Sequence, residues 1–140
     1  MVKVMFLCTG NSCRSQIAEG FARHYGRGAI EAYSAGVKPV GISPYAARVM
    51  AEVGIDISGH SSDPMDPALL YRMDIIITLC GHAEAVCPST PPGVKRLHWP
   101  VDDPTGTPGT EEDILAAHRF ARDVIGRLVK GLADRLLHEG

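Results

Sequence analysis

No stretch of this chain approaches the ~18 consecutive apolar residues of a membrane-spanning helix, and no run of lysine and arginine marks a nucleic-acid surface. The 140 residues carry a net charge of −2 with the two signs interspersed, so neither nucleic acid nor a membrane is an expected partner. Acidic tails, low-complexity tracts, repeats and linkers are missing too, and one domain over residues 1–140 is expected. The six histidines, at positions 24, 60, 82, 98, 118 and 138, show no metal-ligand spacing. The opening segment, Met1 to Cys8, is too short for a signal-peptide core and has no small-residue cleavage site, so a cytoplasmic protein is expected.

What is present in excess of need is thiol. Four cysteines, Cys8, Cys13, Cys80 and Cys87, sit in a chain whose expected compartment is reducing, which argues against a structural disulfide framework. Cys8 and Cys13 have a spacing that a zinc site tolerates, whereas Cys80 and Cys87 lie outside it. Three readings stay open at this level: small buried hydrophobes, a metal site, or redox catalysis.

The hydrophobic pattern alternates between strand-like and helix-like periods. Val2 to Leu7 is a short apolar run suited to a buried parallel strand. Ile17, Ala18, Phe21, Ala22 and Tyr25 then share one helical face, closed by Gly26 and Gly28. Residues 30–34 form a weaker strand. Ser43-Pro44 opens a helix that Gly54 stops, and a shorter helix follows Pro67. Asp74 to Leu79 is a β-branched strand leading straight to Cys80, and residues 94–99 form another. The last helix begins at Thr110-Glu111-Glu112-Asp113, a capping-box pattern, with Ile114, Ala117, Ala121, Val124, Leu128 and Leu132 as its apolar stripe. Arg119, Arg122, Arg127, Lys130 and Arg135 are expected on its solvated face. Trp99 is expected in the core and His82 in solvent. Such alternation predicts an α/β fold with a parallel sheet covered on both faces. Ligands bind at the carboxyl ends of the strands in these folds, and Cys8 and Cys80 each follow a strand, so they can share one edge although 72 positions apart.

Residues 8–15 read Cys8-Thr9-Gly10-Asn11-Ser12-Cys13-Arg14-Ser15. A nucleophile and a guanidinium six positions apart, between a strand and a helix, can close a loop around a tetrahedral oxyanion. The loop amides and the helix N-terminus point at the anion, and Arg14 clamps its oxygens. The same positive field favours a thiolate at the loop's first position. Gly10 and Asn11 tolerate the left-handed angles that a tight loop needs, and Ser15 can donate to the Cys8 sulfur. The alternative is an ordinary strand-to-helix turn with a buried cysteine.

Those eight residues resemble the phosphate-binding loop of the low-molecular-weight protein tyrosine phosphatase superfamily. Asp103-Pro104 resembles that family's late Asp-Pro, which carries the general acid, and the resemblance spans essentially the whole chain. It implies a four-stranded parallel sheet flanked by helices in a three-layer sandwich, with oxyanion-binding residues Thr9, Gly10, Asn11, Ser12, Cys13, Arg14 and Ser15. Within the superfamily, Thr78 to Cys87 together with Trp99 to Pro104 resemble the thioredoxin-coupled arsenate reductases. Thr105, where the phosphatases usually have an aromatic residue, points the same way.

This second resemblance implies a relay in which Cys8 attacks arsenate, Asp103 protonates the departing oxygen, Cys80 attacks Cys8, and Cys87 attacks Cys80. Thioredoxin is then the reductant and arsenate the substrate, with phosphate or sulfate as mimics. No tightly bound cofactor and a monomer are expected. The alternative is a phosphatase hydrolysing aryl phosphates through a Cys8 phosphoenzyme, and a third reading is a non-catalytic oxyanion or redox sensor. Asn11, Glu19, Ser34 and Asp63 resemble a potassium site of one branch of the reductases. Their other reading is loop hydrogen bonding, with Glu19 a surface charge. One geometric constraint follows from spacing. If residues 80–87 were one helix, Cys80 and Cys87 would stand about 10.5 Å apart along its axis, beyond the roughly 7 Å that a disulfide spans. Residues 80–91 are therefore expected to move during a relay.

Overall fold

The computed structural model describes residues 1–139. Four strands form one sheet in the order β2-β1-β3-β4, and every pairing is parallel. Along the chain the elements are β1 (Val2–Cys8), α1 (Arg14–Tyr25), β2 (Ile30–Gly36), α2 (Pro44–Ala51), α3 (Pro67–Leu70), β3 (Ile75–Thr78), α4 (Gly81–Val86), β4 (Lys95–His98) and α5 (Glu111–Glu139). Helices flank the sheet: α1 packs on α5, α5 on α2, and α4 against β1 and β3.

The two central strands carry the apolar runs because both of their faces are covered. Met5, Phe6 and Leu7 of β1 and Ile76 and Ile77 of β3 are fully buried, each contributing about 1.5–3 kcal/mol relative to exposure. Trp99 is half-buried against Phe6, ring centroids 6.4 Å apart, as its core assignment requires. β4 is the edge strand on one side, and its Lys95, Arg96 and His98 are exposed, which suits an edge that must not recruit another strand. The register sets Cys8 opposite Gly36 and Leu7 opposite Thr78. The loops after β1 and β3 therefore emerge side by side at the carboxyl edge.

Local signals place the helices well. Ser43 Oγ accepts the Ala46 N–H at 3.2 Å, with Pro44 at the first helical position. Thr110 and Asp113 exchange reciprocal bonds of 2.9 and 3.2 Å at the start of α5. The expected stripe of α5, however, is out of phase. Ile114, Ala117, Val124 and Leu128 are only half-buried, whereas Leu115, His118, Ile125 and Val129 are buried beside Ala121 and Leu132. Two neighbours, α1 and α2, share α5, and their contact line selects the adjacent stripe. Arg122 departs from the solvated face for the same reason. It is buried, with Nη1 donating to the Val49 carbonyl at 2.9 Å and to Glu52 at 2.8 Å. Val49 lies in the last turn of α2, where carbonyls lack helical partners.

Candidate active site

Backbone bonding explains why the loop after β1 forms a cradle. The carbonyls of Cys8, Thr9, Gly10 and Ser12 accept the N–H groups of Val37, Lys38, Val40 and Ser43 at 2.8–3.2 Å. The Asn11 carbonyl accepts from Gln16 Nε2 and Ser62 Oγ, both at 3.0 Å. With these oxygens held by outer partners, the loop amides remain available for an anion nest. Behind them α1 begins at Arg14 with no acidic residue in its first turn, so its positive end faces the loop uncompensated.

Asn11 takes the left-handed conformation, with φ 44°. Gly10, expected to share that role, does not adopt a positive φ. A Cβ there would lie 3.0 Å from Cγ2 of the exposed Val40, a close contact that a small shift of that side chain relieves. The completely buried Asn11 side chain organises the loop: Oδ1 accepts the Asp63 N–H and Nδ2 donates to Ser15 Oγ, each at 2.8 Å. Ser15 Oγ is in turn 2.9 Å from Cys8 Sγ. With the amide donating into the hydroxyl oxygen, the hydroxyl hydrogen remains to point at the sulfur.

Arg14 is buried and turns toward the segment after β4. Its Nη1 donates to the Val101 carbonyl at 2.7 Å, and its Nη2 lies 3.5 Å from Asp103 Oδ2. Asp103 is about half exposed and takes the N–H of Thr105 at 3.0 Å. Cys8, Thr9, Gly10, Ser12, Cys13, Arg14, Asp103 and Thr105 thus line one cavity of about 350 Å³, with Lys38 and Val40 at its wall. Cys13 is buried there, and burial together with the nearby Asp103 pushes its thiol up to about 12.

All four cysteines are free thiols. Cys80 caps α4, its sulfur accepting the Ala83 N–H at 3.4 Å, and it lies 3.3 Å from Thr9 Oγ1. A loop hydroxyl therefore joins Cys80 to the cradle. Cys87 ends the same helix, half-buried, with its thiol raised by burial. Cys80 and Cys87 occupy the two ends of a folded helix, the situation in which they cannot pair directly. His82 is exposed, as expected. Among the described residues, no three His, Cys, Asp or Glu side chains come together as a metal site.

The set Asn11, Glu19, Ser34 and Asp63 is only partly brought together. Glu19, Ser34 and Asp63 line one cleft, while the Asn11 amide faces Ser15 and the Asp63 backbone. Glu19 is not the surface charge that its position in α1 suggests. It is buried, accepting from Ser34 Oγ at 2.5 Å and from Arg23 Nε at 2.8 Å.

Two residues shape the site without any marking in the sequence. Gln16 is fully buried and bonds the Asn11 and Ser61 carbonyls at 3.0 and 2.8 Å, tying the cradle to residues 61–63. Gly36 ends β2 beneath the loop, where a Cβ would stand 2.6 Å from the Asn11 nitrogen and 2.8 Å from the Thr9 oxygen. Its place at the end of a strand next to β1 is the only signal that could have found it.

Residues 3–140 match the family described as low molecular weight phosphotyrosine protein phosphatase. The chain is 50% identical over 131 residues to an arsenate reductase of Bacillus subtilis (strain 168), covering 94% of both chains. Solved structures of an arsenate reductase in the phosphate binding state and in the oxidized state are each 36% identical and cover 97% of this chain and 99% of their own, with TM-scores of 0.77 and 0.80. A thioredoxin-dependent arsenate reductase of Corynebacterium glutamicum is 27% identical with a TM-score of 0.69, over 93% of this chain and 62% of its own. A match over nearly the whole length means that the chain belongs to the low molecular weight phosphotyrosine protein phosphatase family.

Proposed function

We propose that this protein reduces arsenate to arsenite through Cys8, Cys80 and Cys87, and that thioredoxin restores the thiols. The observation that carries this reading is the position of Cys80. A second thiol stands one hydroxyl away from the oxyanion cradle, through Thr9 Oγ1 at 3.3 Å, and a third ends the same short helix. Hydrolysis of a phosphate ester needs neither. Reduction of As(V) to As(III) needs two electrons, which two thiols supply as they become a disulfide.

In the first step arsenate sits in the cradle, its charge met by the loop amides, the α1 terminus and Arg14. Cys8 Sγ, as thiolate with the Ser15 hydroxyl directed at it, attacks arsenic. One arsenic–oxygen bond breaks, and the leaving oxygen takes a proton from Asp103 and departs as water. In the second step the Cys80 thiolate attacks Cys8 Sγ. The sulfur–arsenic pair of electrons passes to arsenic, arsenite leaves, and a Cys8–Cys80 disulfide remains. In the third, the Cys87 thiolate attacks Cys80 Sγ, Cys8 is released as thiolate, and the disulfide becomes Cys80–Cys87. Thioredoxin reduces that bond by the same exchange. The third step requires α4 to unwind, because Cys80 and Cys87 are its two end caps.

For Asn11, Glu19, Ser34 and Asp63, the contacts support hydrogen bonding over a potassium ion. The Glu19 charge is already met by Arg23 at 2.8 Å and its other oxygen by Ser34. A melting temperature raised by potassium and not by sodium would overturn that reading.

The relay is tested by arsenate-dependent NADPH oxidation in the presence of thioredoxin and its reductase. Wild type is expected to turn over. Cys87→Ser is expected to release about one arsenite per chain and then stop. Normal turnover by that variant would eliminate the relay, and consumption of aryl phosphate alone would make the protein a phosphatase.

A further inference from the structure

The proposed chemistry leaves unused a chain of three polar side chains that ends on the relay helix. Thr78, the last residue of β3, is buried. Its Oγ1 donates to Glu84 Oε2 at 2.6 Å and lies 2.8 Å from Nδ1 of His98, the last residue of β4. Threonine has a single hydroxyl hydrogen. Given to the carboxylate, it leaves the hydroxyl oxygen to accept from the His98 ring, so each member of the chain has one direction. Glu84 stands between Cys80 and Cys87 in α4 and is the acid of that segment.

A helix of six residues does not hold itself together. The ladder of α4 is brief, with Glu84 N–H to the Cys80 carbonyl at 3.2 Å and Cys87 N–H to the Ala83 carbonyl at 3.0 Å. The Thr78–Glu84 bond is a charge-assisted tie from the sheet to the middle of this helix, and such bonds are among the stronger ones available to side chains. We propose that the His98–Thr78–Glu84 chain is a latch that holds the relay segment helical in the reduced protein, and so sets how readily the Cys80–Cys87 disulfide is reduced. The proposal rests on the relay reading.

The energetics have a definite sign. The Cys80–Cys87 disulfide takes two electrons and two protons from a dithiol, giving two thiols and the disulfide of the reductant. Only the dithiol form is compatible with folded α4, so the latch stabilises the product of reduction. Removing it makes reduction less favourable.

The test equilibrates full-length oxidised protein with graded ratios of reduced to oxidised thioredoxin, followed by thiol trapping and disulfide mapping. Wild type is compared with Glu84→Gln, Thr78→Val and the double variant. Each single variant is expected to shift the equilibrium three- to tenfold toward the disulfide, about 14 to 30 mV more negative. The double variant should shift no further than Thr78→Val alone, because without the Thr78 hydroxyl the charge at position 84 has no tie left to strengthen. Amide exchange over residues 81–86 should quicken in the reduced variants and match wild type in the oxidised ones. An equilibrium constant within twofold of wild type, additive shifts, or unchanged exchange would overturn the latch. Thr78 is buried, so if Thr78→Val fails to fold, the exposed Glu84→Gln carries the test through its potential and exchange. Wild type that forms no Cys80–Cys87 disulfide on arsenate turnover would overturn the relay and the latch with it. Wild type that forms it alongside unshifted variants would overturn the latch alone.

Discussion

The Ser15 hydroxyl has one hydrogen, and the structure determines where it goes. Asn11 Nδ2 fills the oxygen from one side, and the Cys8 sulfur lies on the other at 2.9 Å. A hydrogen bond to a charged group contributes about 1.5–3 kcal/mol. Ser15→Ala is therefore expected to slow the first arsenite release about ten- to a hundredfold, read in a single-turnover burst with Cys87 intact. A burst within twofold of wild type would mean that the sulfur does not depend on this donor. Cys13 shows the contrast that a shared loop can hold. It is as buried as Cys8 but is held to about 12 by desolvation and by Asp103, so it stays a neutral thiol near neutral pH, a packing residue beside a nucleophile.

At the scale of elements, α5 illustrates how a tertiary partner overrides a local pattern. Its apolar positions read as a stripe of Ile114, Ala117, Ala121, Val124, Leu128 and Leu132, of which only Ala121 and Leu132 are buried. The stripe that meets α1 and α2 runs through Leu115, His118, Ile125 and Val129, with Arg122 among them. No periodicity argument selects a histidine and an arginine for burial. They are admitted because His118 Nδ1 bonds the Ile114 carbonyl at 2.7 Å and Arg122 reaches Val49 and Glu52.

The tie between α2 and α5 has a pH signature. Hydrogen bonds from Arg119, and then from Arg122, hold the Glu52 carboxyl at about 2, below its ordinary 4.5. A carboxylate lowered on folding stabilises the fold above its unfolded pKa and loses that contribution as pH falls through the folded value. Urea unfolding measured from pH 6 to pH 2 is expected to show stability declining between about 4.5 and 2, with a shallower decline in Glu52→Gln. Identical pH profiles would show that the carboxylate contributes nothing to the joint.

Across the whole molecule, what could be read from the sequence was what is local. The apolar run of β1, the glycine and proline stops, the caps at Ser43 and Thr110 and the eight-residue loop each act through neighbours along the chain. The approach of Cys80 to Cys8 was legible as well, because both follow strands of a parallel sheet. Through-space requirements were not. Gly36 matters only because β2 passes beneath the loop, Gln16 because residues 61–63 fold over α1, and Thr78 because β4 brings His98 alongside.

The strand order β2-β1-β3-β4 has one more consequence. Cys8 and Cys80 follow its two central strands and Cys87 ends α4, with exposure rising from 3% at Cys8 to 9% at Cys80 and half-buried at Cys87. In the proposed relay, oxidising equivalents would travel in one direction, from an inner dock toward the rim. On that proposal, the mouth that receives the anion and the place where electrons are delivered become separate doors. A reductant working at Cys87 has no need to displace whatever occupies the cradle, so reloading and recharging can overlap within one cycle.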